Sequence, residues 1–155
     1  MNKRNFVGSK LYLSAGLAAT NDAAGFATVT FTKACTMRAT PPISSQRATI
    51  ANPDLCNGIE TETTGMKKYE QLAVPFTNNW TDAAQLIAQT AYNANAPLSM
   101  KLEYPLFSNE TTPNTVYAEI MVQKLSISDG GSGNDTDIRS TVFLIQKEPV
   151  LVNAT

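Results

Sequence analysis

The 155-residue chain has no histidine. That removes the commonest general base, the base of a serine-hydrolase triad and the usual zinc ligand together. Charge is also sparse: 12 Lys and Arg face 13 Asp and Glu, scattered along the chain, for a net charge of −1. Neither a basic nucleic-acid stripe nor a polybasic membrane segment can be assembled from them. There are two cysteines, Cys35 and Cys56, far apart and without C-x-x-C spacing; they are compatible with one disulfide or with two reduced thiols. No run of about 18 apolar residues exists to span a bilayer. The apolar stretch from Leu11 to Ala19 follows Lys3 and Arg4 as in a secretory leader, but Ser9 and Lys10 interrupt it. A soluble, cytoplasmic chain is the expectation. With no cofactor motif either, no cofactor is assigned.

What the chain does have is period-2 alternation. In "PLSMKLEYPL" Leu98, Met100, Leu102, Tyr104 and Leu106 share one face, and in "TVYAEIMVQKL" Val116, Ala118, Ile120 and Val122 do. "RSTVFLIQK" is apolar on both faces from Val142 to Ile145. Further strands are predicted at Lys10 to Ser14, at Ala27 to Thr36 with Val29 and Phe31 inward, and at Lys68 to Phe76 with Leu72, Val74 and Phe76 inward. This spacing predicts a mainly β fold, an antiparallel β-sandwich or barrel. One segment departs from it: in "NNWTDAAQLIAQTAYNANAP" Ala83, Leu86, Ile87, Thr90, Ala91 and Ala94 recur at helical spacing. A single flanking helix over about residues 82–94 is predicted, capped by Thr81, with Asp82 complementing its dipole and Asn95 and Pro97 ending it. Leu86 and Ile87 are its expected core residues, and Trp80 is expected to anchor its start.

Three segments fall outside this pattern. The polar stretch from Ala39 to Gly65, "ATPPISSQRATIANPDLCNGIETETTG", reads as a long loop, and loops of that length in compact domains are usually functional or ordered by a partner. Residues 1–9 form an N-terminal arm and 148–155 an extended tail. A single domain with three such extensions is expected to reach into its neighbours. A fourth feature, "SDGGSGNDTDI" over residues 128–138, carries the G-G-x-G-x-D core of a calcium-binding β-helix repeat. Such a site needs stacked copies and a large apolar residue two places after the aspartate. Here there is one copy, with Asp137 at the apolar position, so the segment reads as a flexible hairpin tip without a metal.

The order of these elements resembles the tail tube protein of long-tailed, non-contractile bacteriophages, over nearly the whole chain. The resemblance lies in an opening strand, a threonine-rich second strand, the "SQRATIANPDL" loop, the "TGMKKYEQLAVPF" segment, the "WTDAAQLIAQTAYNA" helix, two strands around Leu98 and Tyr117, the glycine-rich tip and a last strand. It implies one tail-tube domain over 1–155, a β-sandwich with one flanking helix and long inter-subunit loops. It further implies a non-enzymatic virion protein assembled in the host cytoplasm into homo-oligomeric, hexameric rings that stack into a hollow tube. Tail terminator, tape measure and distal tail proteins would be partners, and DNA would pass the lumen unbound. On this reading Asn5, Phe6 and Val7 of the arm and Ile50, Asn52, Asp54, Leu55 and Ile59 of the loop, the 39–66 interface segment, form the subunit interface. Glu70 and Glu119, on polar strand faces, would give the lumen negative charge, because phosphate slides fastest along a wall that repels it. Three other readings compete. The chain could be the tube subunit of a contractile tail or a type VI secretion system. It could be a carbohydrate-binding or adhesin sandwich stacking sugars on Trp80, Tyr12, Tyr69 or Tyr117. A glycosidase-like pair at Glu60 and Glu62 has nothing to fix its separation.

Overall fold

A computed structural model describes residues 5–155. In chain order the elements are β1 (Lys10–Ser14), α1 (Ala23–Ala27), β2 (Thr32–Ala34), β3 (Ser45–Asp54), β4 (Ile59–Tyr69), β5 (Leu72–Thr77), α2 (Ala83–Ala94), β6 (Pro97–Glu103), β7 (Thr115–Leu125), β8 (Ile138–Ile145) and β9 (Val150–Val152). The fold is mainly β and antiparallel, with helices set against it, as the alternation predicts. One sheet runs β2-β1-β6-β7-β8-β5; β9 pairs with the start of β7, on the side opposite β6. A separate two-stranded sheet, β3-β4, projects from it.

The large sheet curls until its two ends meet. Just past β2, Thr36 accepts a hydrogen bond from Thr77 N at 2.8 Å, and Arg38 N donates to Pro75 O at 2.9 Å. Met37 bridges Phe76 between them. The free edges of β2 and β5, each a template for unwanted pairing, are thereby joined within the subunit. The inner face holds Leu11, Leu13, Leu72, Val74, Phe76, Leu98, Met100, Leu102, Val116, Ala118, Ile120, Val122 and Phe143 in one cluster. The inward residues read from alternation in β5, β6 and β7 are all among them, apart from half-buried Tyr104 and exposed Leu106 beyond the end of β6.

Helix α2 packs on this inner face, but by a different stripe from the one predicted. Ala84, Gln85, Ala88 and Ala91 are buried and Ile87, half-buried, packs against the core, whereas Leu86 is 46% exposed. The concave side of a curled sheet leaves room for methyl groups, so the alanines turn inward and the larger side chains lie at the rim. Asp82, not Thr81, is the N-cap, its carboxylate accepting from Gln85 N, while Asn95 ends the helix at φ 49°. Gln85 fastens the helix to the closure seam: its amide donates to Thr36 Oγ1 at 2.8 Å and to Thr77 O at 2.9 Å. Arg139, buried on β8, donates to Gln89 Oε1 at 3.0 Å and to Ser126 O at 2.9 Å. Trp80 is 57% exposed and lies over this guanidinium, with 5.8 Å from ring to Arg139 Cζ, so it is a lid and not a core anchor.

The strand predicted over Ala27–Thr36 is also revised. Only Ala27 belongs to a helix, the end of the short α1 capped by Asp22; residues 28–31 are turn and loop, and Thr32–Ala34 pairs in the sheet. Val29 and Phe31 are half-buried and do not enter the inner core. Phe26 and Phe31 instead pack on the outer face of β7 against Tyr117, at 5.2 and 6.0 Å between ring centroids. The C-terminal tail is likewise no free extension. β9 pairs with β7, and the Thr155 carbonyl accepts from Thr111 N at 2.7 Å.

Candidate assembly interface

The segment read as a long loop is an ordered hairpin. Its strands run Ser45–Asp54 and Ile59–Tyr69, about 33 Å for ten residues at strand rise. The alternation is weak because neither face meets a core: every residue of β3 is exposed, and in β4 only Gly65 and Tyr69 are partly covered. The register shifts between Arg47 and Thr49, opposite Gly65 and Met66. A Cβ on Gly65 would lie 3.2 Å from Ile50 Cδ1 and 3.4 Å from Ala48 O, so the residue's lack of a side chain lets the strands close up at the bulge.

Beyond the bulge the arm has two unlike faces. Cross-strand pairing sets Ile50 opposite Thr63, Asn52 opposite Thr61 and Asp54 opposite Ile59, so four of the predicted interface residues, Ile50, Asn52, Asp54 and Ile59, share one face. The other face carries Glu60 and Glu62 with Thr49, Ala51 and Pro53. Leu55 stands at the tip, 94% exposed. Asp54 places its charge into the turn, accepting from Cys56 N, Asn57 N and Asn57 Nδ2 at 3.0, 3.2 and 2.6 Å. The Asn57 side chain above all holds its carboxyl below the ordinary value. The first face is thus apolar and hydroxylic, and its one acid is already engaged.

The arm's base is tied to the body by exposed groups. Lys67 Nζ pairs with Glu148 Oε1 at 2.8 Å, and Tyr69 donates to the same oxygen at 3.3 Å. The hydrogen bond from Lys67 draws the Glu148 carboxyl below its usual range. Solvent screens exposed pairs of this kind, so they add little to stability.

The remaining predicted residues fall elsewhere. Asn5, Phe6 and Val7 lie exposed at the start of the described residues, with Phe6 6.5 Å from the Tyr104 ring; the rest of the predicted arm, residues 1–4, lies outside the described residues. Glu70 is at the joint between β4 and β5, accepting from Ser44 Oγ at 2.6 Å, whereas Glu119 is mid-way along β7 and paired with Lys147 at 2.6 Å. Lys101 and Glu103, also 2.6 Å apart, neutralise each other on neighbouring β6. The structure does not gather Glu70 and Glu119, and the β6–β7 outer face is close to charge-balanced. In the 128–138 segment each acid has a partner of its own: Asp129 with Ser140, Asp135 with Ser132, Asp137 with Asn78 and Ser128. Among the described residues no cluster of three or more Cys, Asp or Glu is placed to hold a metal ion. Cys35 and Cys56 are both exposed and unbonded.

No protein-family model matches the sequence, and no curated protein matches it. Solved structures do share the fold. A chain in the six-fold symmetrised cryo-EM structure of the anti-feeding prophage baseplate superposes with a TM-score of 0.66 at 8% identity, over 94% of this chain and 92% of that one. A chain of the native gene transfer agent virion gives 0.61 at 14% identity, over 92% and 95%. The tail of the empty gene transfer agent particle, solved with C6 symmetry, gives 0.61 at 14%, over 92% and 96%. At such identities the likeness is one of fold, and it spans nearly the full length of both partners.

Proposed function

We propose that the chain is a structural, non-enzymatic subunit of a phage-type tail, forming hexameric rings that stack into a hollow tube through which DNA passes. The observation that carries this reading is the exposed β3–β4 arm. A two-stranded hairpin with both faces in solvent is marginal by itself, while the body joins the two ends of its own sheet and buries a core. Such an arm gains its stability by lying on a neighbour, and repetition around a ring multiplies weak contacts into a strong assembly. The likeness to chains of six-fold baseplate and tail assemblies supports the symmetry. In this assembly the face bearing Ile50, Asn52, Asp54 and Ile59, with Leu55 at the tip, is the interface, and Phe6 and Val7 add to it. Tail terminator, tape measure and distal tail proteins are the expected partners, and the virion tail, built in the host cytoplasm, is the location. Glu70 is retained as a lumen-facing residue; Glu119 contributes little net field beside Lys147.

Electron microscopy of the purified protein at high concentration tests the reading, with tubes or six-membered rings expected. A protein that stays monomeric at every concentration would overturn it. A second reading, a single ring in a baseplate, draws on the anti-feeding prophage likeness. Rings that never stack would favour it over the tube.

A further inference from the structure

The two ends of the curled sheet differ in shape and in charge. Strand β7 runs from Thr115, opposite Glu103, to Leu125, opposite Thr141, about 33 Å at strand rise. Lys10 lies opposite Glu103, at the first end, and the 126–137 loop leaves the second. At the second end residues 127–137 are all exposed and carry Asp129, Asp135 and Asp137 with no base among them. Hydroxyls, an amide and a backbone N–H hold these carboxylates, which fixes the charges without cancelling them. Hydrogen bonds from Ser126 and Ser140 keep the Asp129 carboxyl below its ordinary value, and those from Ser132 do so for Asp135. Lys124 is the exposed cation beside Asp129. The base of the loop is fastened, since Asn78 donates to Ile127 O at 3.0 Å and Arg139 to Ser126 O at 2.9 Å.

The first end is concave. Two hollows of about 380 and 420 Å³ adjoin at Gly8. Their cations are Arg38 and Lys10, both exposed, and no ion pair among the described residues engages either. The acid that lines them, Glu103, is closed on Lys101 at 2.6 Å. Leu106 and Pro113 add an apolar wall.

We propose that the acidic 127–137 loop of one copy docks head to tail into the Lys10–Arg38 cleft of a second copy, and that this contact stacks one ring on the next. The inference rests on the tube reading above and names its stacking surfaces. Both halves of the contact occur on one chain, at opposite ends, so each docked copy presents a fresh loop or a fresh cleft. A head-to-tail contact of this kind repeats without limit along an axis. Ile127, 66% exposed, meets the wall formed by Leu106 and Pro113, which gives the contact apolar burial. The opposite charges guide the encounter and reject the reversed orientation, in which loop would face loop. Two cations are too few for a phosphate backbone, whereas they suit a loop with three acids.

The experiment uses the full chain in two charge-reversed forms. One carries Asp129→Lys and Asp135→Lys on the loop, the other Lys10→Glu and Arg38→Glu in the cleft. Each form alone sets like charges against each other, so the fraction in stacked tubes should fall at least tenfold by sedimentation, with single rings seen by microscopy and unchanged circular dichroism. An equimolar mixture of the two ring populations should restore tubes, because alternating rings pair opposite charges at every seam. Wild-type tubes should likewise part into rings as salt rises from about 0.1 to about 1 M, where screening shortens from about 10 to about 3 Å. Either form stacking normally by itself, a mixture that stays as rings, or wild-type rings that never stack overturns the proposal and leaves the ring standing. Wild-type protein that forms no ring overturns both.

Discussion

In the barrel, Leu11, Leu13, Leu72, Met100, Ile120 and Phe143 are fully buried, and the two ends of the sheet meet at Thr36 and Thr77. In the β3–β4 arm every residue but Gly65 and Tyr69 is exposed, and the strands pair only with each other. Both regions are antiparallel sheet with similar backbone hydrogen bonding. The difference shows where stability comes from: ladder hydrogen bonds exchange for bonds to water at small net gain, while burial of an apolar face supplies the surplus. The body therefore holds itself together, and the arm is left to be held by something else.

The sharpest way to break that comparison is to charge both sides of α2. Ala88→Asp places an unpaired carboxylate against the inner face and should cost several kcal/mol, about enough to unfold the subunit. Leu86→Asp, on the half-exposed side, should stay folded. Thermal melts by circular dichroism decide between them, and equal melting of the two variants would mean that the helix is seated differently.

Truncation extends the contrast. Phe143→Ala should lose about 3–5 kcal/mol in urea unfolding, whereas Ile50→Ala in the unassembled subunit should stay within about 0.5 kcal/mol of wild type. An arm substitution that costs as much as the core one would show that the arm packs on its own body.

Removing the arm altogether should likewise matter little to the body. With Arg47 to Lys67 replaced by a short turn, the monomer should melt as wild type does, since the contact given up is one exposed, solvent-screened ion pair, and should no longer assemble. Normal tubes from this variant would take the arm out of the interface.

The smallest effect is electrostatic. Asp54 has its folded pKa lowered from 3.8 by its hydrogen bonds to Asn57 and Cys56. A depressed carboxyl contributes stability that is present above its unfolded value and lost as pH falls through the folded one. Amide shifts of Cys56 and Asn57 followed by NMR should therefore titrate with a midpoint below pH 3.8, with barrel amides unaffected. An inflection at or above that value would mean that the turn is not closed by Asp54.

Much of the body was legible in the sequence, and part of the arm was. Alternation at Leu98, Met100 and Leu102, at Val116 to Val122 and at Leu72 to Phe76 identifies inward faces, because side chains two apart on a strand point the same way wherever the strand goes. The choice of Ile50, Asn52, Asp54 and Ile59 anticipated one face of the arm, although the segment reads as a loop: its threonines and glutamates show no buried side to betray a strand. The helix was legible in extent, from Asp82 to Asn95, and not in orientation. A stripe scored by large apolar residues selects Leu86, whereas a concave sheet selects alanine.

Local order in the body, then, was written in the sequence by itself: where β1 and β5 to β8 extend, where α2 coils, and that no histidine chemistry is available. Only the tertiary structure decided that residues 36–38 return to β5 and close the barrel, that Gln85 and Arg139 are buried and satisfied, and that the arm stands clear of the body. The reason is range. Alternation and capping depend on neighbours within a few positions, but closure pairs Thr36 with Thr77 and the Arg139 clamp joins β8 to Gln89 on α2, contacts whose worth depends on how the whole sheet curls.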